Sequence, residues 1–182
     1  DISPMPQDLI FPRLLTPGGL LLIGGAPKVG KSDFLINFLI HMAAGESFLG
    51  LKPPRPLRIF YLQAEIGYHY MRERVKKLKV SKEIIAKSSN NLVSTSNIQM
   101  ILNDEGIDAV CKTIKHNFGN EKIDILCIDP IRNLFDGGSP TSSENDNNAM
   151  LFFLQNRIEK LRSLLNPDMG IILCHHTKKI KK

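Results

Sequence analysis

Four short, unbroken apolar runs punctuate the chain, at residues 20–23, 59–62, 125–128 and 171–174. Runs of this length without polar alternation suit strands covered on both faces, as in a parallel sheet. Between them the period changes. Residues 34–44 are apolar nearly all round, which predicts a central, buried helix. Met71, Val75 and Leu78 form a narrow stripe on an otherwise basic helix. Ile107, Val110, Cys111, Ile114 and Phe118 follow helical spacing behind a cap at Asn103 or Asp104. Leu151, Leu154, Ile158, Leu161 and Leu165 do the same and stop before Pro167. A weaker strand is expected at residues 91–94. Strand and helix in alternation predict a doubly wound α/β fold, with a mostly parallel sheet and helices on both faces.

Two segments break the rhythm. Lys52-Pro53-Pro54-Arg55-Pro56 reads as a stiff surface connector, and residues 136–148 as a polar, Gly-, Ser- and Asn-rich loop long enough to be mobile. There is no internal repeat and no interdomain linker, so the 182 residues read as one domain. A hydrophobic share of 42% excludes wholesale disorder. No run approaches the ~20 apolar residues of a membrane span, and the first ten residues carry no basic cluster of a signal peptide. Cys111, Cys127 and Cys174 are an odd, widely spaced set with neither zinc spacing nor a disulfide framework, which points to a reducing cytosol.

The net charge of +6 is unevenly placed. Lys178, Lys179, Lys181 and Lys182 crowd the end, and Arg72, Arg74, Lys76, Lys77 and Lys79 face only Glu73 in the basic helix. Such patches suit an anionic partner, nucleic acid first. Each alone is equally compatible with a solvated face or tail.

The most specific signal is Gly25-Ala26-Pro27-Lys28-Val29-Gly30-Lys31-Ser32, a G-x-x-x-x-G-K-S match between a buried strand and a buried helix. Its glycines let backbone N–H groups turn inward around phosphates, and the helix that follows, beginning through Asp33, adds its positive end. Lys31 is placed to reach the terminal phosphates of ATP and Ser32 to bind Mg²⁺. A phosphate loop needs an acid near the metal. Asp129, at the end of an apolar strand, supplies it in the Walker B manner, because ligands of parallel sheets gather at the strands' carboxyl ends. Asp124 lies at the opposite end of that strand and reads as structural.

Where many such proteins carry a glutamate directly after this aspartate, this chain has Pro130. Glu65, just past another buried strand, is the candidate base; its alternative role is to cap the helix starting near Gly67. The last strand ends in Cys174-His175-His176-Thr177-Lys178. A polar residue there can contact the γ-phosphate, while a packed histidine is the plainer reading for one of the two. No Cys or carboxylate at ligand spacing supports a metal on this pair.

With these four sites in order, the chain resembles the RecA-like ATPases, specifically the plasmid replication helicase RepA group and its phage and mobile-element relatives, over about residues 14–179. The glutamate on a separate strand narrows the likeness, with Ala43-Ala44-Gly45 to Leu62-Gln63-Ala64-Glu65 leading into a helix containing Arg72 and Arg74. The ending His175-His176-Thr177-Lys178-Lys179 narrows it further. The resemblance implies a RecA-like P-loop core, Glu65 as catalytic base, His176 as γ-phosphate sensor and the 136–148 loop facing DNA. It implies a cytoplasmic homo-oligomer, ring or filament, with ATP between subunits and a finger residue from the neighbour. The strands that carry such a finger come later than Lys182, so residues 1–182 are expected to be a single RecA-like ATPase domain truncated at its C-terminus. The expected function is ATP hydrolysis coupled to single-stranded DNA, of replicative or mobile-element helicase type. A recombinase- or KaiC-like ATPase without unwinding, and a nucleotide-dependent switch with little turnover, are the alternatives.

Overall fold

The structure, a computed structural model, describes residues 2–26 and 29–177. The lysine-rich tail from Lys178 to Lys182, and Pro27 and Lys28 of the glycine-rich loop, lie outside the described residues. The strands are β1 (Leu20–Gly25), β2 (Ile59–Gln63), β3 (Leu92–Ser94), β4 (Ile125–Asp129) and β5 (Gly170–His176). They form one parallel sheet in the order β1-β5-β4-β2-β3. All four expected apolar runs are strands, and the weak fifth is real but short.

The helices are α1 (Lys31–Ala44), α2 (Tyr68–Lys77), α3 (Lys82–Ser88), α4 (Asp104–Phe118), α5 (Ile131–Leu134), α6 (Asn147–Phe153) and α7 (Glu159–Leu165). A π-helical stretch, Leu154–Ile158, joins the last two. Strand alternation divides the core. Ile59, Tyr61, Ile125, Cys127, Ile172 and Cys174 pack toward α1, with Met71 and Val75 of α2 and Ile84 of α3 at the margin. Phe60, Leu62, Leu126, Ile128, Ile171 and Leu173 pack toward α4 and the α6–α7 arm. Each large side chain buried this way contributes roughly 1.5–3 kcal/mol, so two such layers fix the sheet edge that carries the chemistry.

Four details depart from the sequence reading. The first apolar run is not covered on both faces: β1 is an edge strand, with Leu20 and Leu22 50% and 61% exposed. Phe34, at the start of the apolar helix, is 42% exposed. The short helix α3 has too few apolar positions to show a period. The polar 136–148 segment is tied down at both ends: Asp136 accepts from Arg157 Nε at 2.9 Å, and Asp146 caps α6 by accepting from Ala149 N at 2.9 Å.

The amino-end edge of the sheet is closed by the N-terminal segment, whose Leu9 and Leu15 cover the start of β5. A Cβ on Gly170 would meet Leu15 Cδ2 at 2.6 Å and Leu9 Cδ1 at 2.9 Å, so any larger residue would make these leucines shift. At the same edge Asp124 accepts both arms of the Arg55 guanidinium, at 2.9 and 2.7 Å, and the Arg58 N–H at 2.8 Å. It is a structural carboxylate that fastens the Pro-rich connector to β4.

Candidate nucleotide site

The site is built at the carboxyl edge, where β1 hands the chain to α1. Gly30 adopts φ +82°, a left-handed turn that favours glycine, and begins α1 without any side-chain cap. The helix therefore presents its first N–H groups to the space in front of it, where an anion is welcome. That space is a cavity of about 240 Å³ lined by Ala26, Gly30, Lys31, Ser32, Glu65, Arg74, Arg132 and His176. A wider cleft of about 640 Å³ lies at the opposite edge around Arg55, Arg58, Glu121 and Asp124, but there the charges pair with one another.

Lys31 Nζ donates to the His175 carbonyl at 3.3 Å and lies 3.1 Å from His176 Nδ1. On the ring's other side, His176 Nε2 lies 3.4 Å from Glu65 Oε1, and that same oxygen accepts from Arg132 Nη2 at 2.8 Å. Glu65 therefore turns into the cavity. It is not a helix cap, because α2 begins after Gly67 with no side-chain cap bond. Arg74 lines the cavity from α2 and donates to Asp33 Oδ1 at 3.1 Å.

Asp129 sits at the end of β4, level with Gln63 on β2. It is buried, and Tyr61 donates to its Oδ2 at 2.6 Å. Burial pushes its carboxyl above the ordinary carboxylate range, while the Tyr61 hydrogen bond and the Lys31 charge pull the other way.

Alternation along β5 separates the two histidines. His176 shares the side of Cys174 and Ile172 and meets Lys31. His175 shares the side of Leu173 and Ile171, and its Nδ1 lies 3.5 Å from Glu144 Oε2 in the 136–148 segment.

The donor set fits Mg²⁺ and the phosphates of ATP. One ammonium and two guanidinium groups, Ser32 and the uncapped start of α1 converge on one cavity. Asp129 is not among its lining residues, but it lies near enough to feel the charges of Lys31, Glu65 and His176. The buried His176 Nε2 has no hydrogen-bond partner among the described residues. The structure brings together Ala26, Gly30, Lys31, Ser32, Glu65 and His176, and it places Gly25 and Val29 on the flanks of the loop. Arg132 and Tyr61 were missed from sequence. Arg132 stands three residues past Asp129 at the ligand edge, a position that itself could have flagged it.

A five-stranded parallel sheet in this order, with a glycine-rich loop leading from its edge strand into a buried helix, defines a P-loop ATPase domain with a RecA-like core. The AAA domain family matches residues 1–181, and the chain belongs to it. Among solved structures, a KaiC-like protein from the hyperthermophilic archaeon Pyrococcus horikoshii superposes with a TM-score of 0.53 at 17% identity, over 91% of this chain and 65% of that one. At that identity the likeness speaks for the fold, and this chain spans less than two thirds of that protein's length. No curated protein matches the chain by sequence. Neither match singles out the RepA-type helicases within this class. Among the described residues no helix is long and apolar enough to cross a membrane.

Proposed function

We propose that the chain hydrolyses ATP and couples hydrolysis to single-stranded DNA, as the motor domain of a replicative or mobile-element helicase that works as a homo-oligomer. The observation that carries the coupling is the pair of neighbours His175 and His176. One reaches Glu144 in the loop proposed to face DNA, and the other reaches Lys31 and Glu65 in the nucleotide cavity. A shift of one strand end would move both.

When bound, Mg²⁺ neutralises phosphate charge and ATP supplies the phosphoryl group that water attacks. Lys31 and the N–H groups at the start of α1 hold phosphate oxygens. Ser32 and Asp129 would hold the ion, and Tyr61 fixes one oxygen of Asp129. Glu65 takes the proton of the attacking water, since Pro130 occupies the position next to Asp129 where a base is often found. His176 lies between Lys31 and Glu65, where it senses the terminal phosphate.

Steady-state hydrolysis by the assembled oligomer, with and without single-stranded DNA, tests the reading, with Lys31→Ala as the blank. DNA should raise turnover, and DNA affinity should fall steeply with salt as phosphate contacts release counterions. The 136–148 loop and the lysines from Lys178 to Lys182 are the proposed contacts, and rings strengthen such contacts by presenting several loops together. Turnover indifferent to DNA at low salt would leave a KaiC-like ATPase without a nucleic-acid role, and binding without turnover a switch. Displacement of a labelled strand separates a helicase from a recombinase.

A further inference from the structure

The charges around the cavity are not equally committed. Arg74 is balanced by Asp33 on α1, and Lys31 is held by the end of β5. Arg132 has one anionic partner among the described residues, and that partner is the candidate base itself, at 2.8 Å. Arg132 Nη2 donates to Glu65 Oε1, and His176 Nε2 stands 3.4 Å from the same oxygen without a hydrogen bond, so that oxygen is already engaged and crowded against the O–H of a water molecule. The Arg132 and Glu65 side chains are 50% and 32% exposed, so solvent screens their pair and it is weakly held. A guanidinium is planar and presents five donors; Arg132 uses Nη2 on Glu65 and Nε on Asn133 Oδ1 at 3.3 Å. A phosphate oxyanion carries more charge than a carboxylate and can engage two guanidinium N–H groups at once.

Resting on the ATP-site reading above, we propose that Arg132 is the selectivity and positioning residue of this site within its own subunit. Its guanidinium exchanges Glu65 for the terminal phosphate, which discriminates ATP from ADP and frees Glu65 Oε1 for the attacking water. Recognition and activation are then one movement. The base is held while no terminal phosphate competes for the arginine, and it is released when that phosphate arrives.

Calorimetry in Mg²⁺ with ADP and with a non-hydrolysable ATP analogue tests this on the wild-type chain, Arg132→Ala, Arg132→Lys, Glu65→Gln and the Arg132→Ala/Glu65→Gln double variant. Arg132→Ala should lose about tenfold in affinity for the analogue, the worth of one charge-assisted contact, and stay within about twofold for ADP. Arg132→Lys should recover part of the loss, because it keeps the charge without the fork. Glu65→Gln, which loosens the arginine, should tighten the analogue several-fold, and this gain should vanish in the double variant. Equal losses for both nucleotides, or additive effects in the double variant, would overturn the exchange and leave Arg132 a structural residue. Thermal melts of each variant separate misfolding from lost contacts. A wild-type chain that binds neither nucleotide would overturn the ATP-site reading and this proposal with it. Wild-type discrimination untouched by Arg132→Ala would overturn this proposal alone.

Discussion

The Tyr61 hydroxyl donates a 2.6 Å hydrogen bond to Asp129 Oδ2 across two adjacent strands, with the two residues only 2% and 4% exposed. Burial first, and the neighbouring Asp129 next, hold the phenol protonated far above its usual range, so it stays a donor at any working pH. The bond fixes one carboxylate oxygen and leaves the other for the cation proposed above. Tyr61→Phe should therefore cost about 1.5–3 kcal/mol, the worth of a hydrogen bond to a charged group, and weaken Mg²⁺-dependent nucleotide binding. Urea melts at neutral pH, paired with Mg²⁺ titrations of nucleotide affinity, check both. Unchanged metal dependence would show that Asp129 is oriented by something else.

Asp129→Asn should separate stability from function. The folded carboxyl titrates above its unfolded value, chiefly through burial. The folded state therefore binds the proton more tightly than the unfolded chain does. Stability falls as pH rises from the unfolded carboxylate range through the raised folded value, and at neutral pH the ionised group is a net cost. Asparagine removes that charge and can still accept from Tyr61. The variant should melt higher than the parent at pH 7, with the difference closing as pH falls toward 4, while losing Mg²⁺-dependent ATP binding. Scanning calorimetry across pH gives the first result and nucleotide titration the second. A lower melting temperature at pH 7 would contradict the burial argument.

Asp124 stands at the other end of the same strand and should behave oppositely. It accepts three hydrogen bonds, two from Arg55 and one from the Arg58 backbone, far from the nucleotide cavity. Asp124→Ala should cost roughly 1–3 kcal/mol by leaving the Arg58 N–H without its acceptor. Nucleotide affinity in the folded protein should not change. Denaturant melts and nucleotide titration on one preparation decide it, and a lost affinity in a stable variant would assign this edge a functional role.

The contrast between these carboxylates shows what the sequence carried. Asp124 and Asp129 bracket the apolar run of β4, and chain direction in a parallel sheet already puts one at the ligand edge and one away from it. The run before the glycine-rich loop, the capping Asn103 and the stop before Pro167 were legible for the same reason: each is a local rule with a local signal. Asn103 does accept from Gly106 N, at 2.9 Å. Arg132 offered only its position three residues past Asp129, with no pattern of its own. It is one polar residue on the four-residue helix α5, and its partner Glu65 lies 67 positions earlier, so only the neighbouring of β2 and β4 brings them together. Tyr61 was hidden because its apolar ring satisfies the strand pattern while its hydroxyl serves another strand. The π-helical stretch between α6 and α7 likewise leaves the leucine spacing helical to the eye.

Glu65 carries the sharpest prediction, because its competing role has a different signature. A capping glutamate would support α2, and its loss would lower stability while sparing turnover. The structure gives that position to Gly67, which makes no side-chain cap bond, and sends the Glu65 carboxylate to Arg132 and His176 instead. Since the Arg132 pair is half exposed, losing it should change stability by no more than ~1 kcal/mol. Glutamine keeps the shape and a hydrogen-bonding oxygen but cannot take a proton. Glu65→Gln should therefore melt close to the parent, retain ATP binding, and lower turnover by roughly 10²–10⁴-fold, the usual worth of a positioned general base. His176→Asn, which shortens the link between Lys31 and Glu65, should lower turnover less and leave ADP binding intact. Melting curves, nucleotide titration and steady-state hydrolysis should be run on the same oligomeric preparation, so that assembly is held constant. Parent-rate hydrolysis by Glu65→Gln would move the base elsewhere, and a large drop in melting temperature would return Glu65 to a structural role.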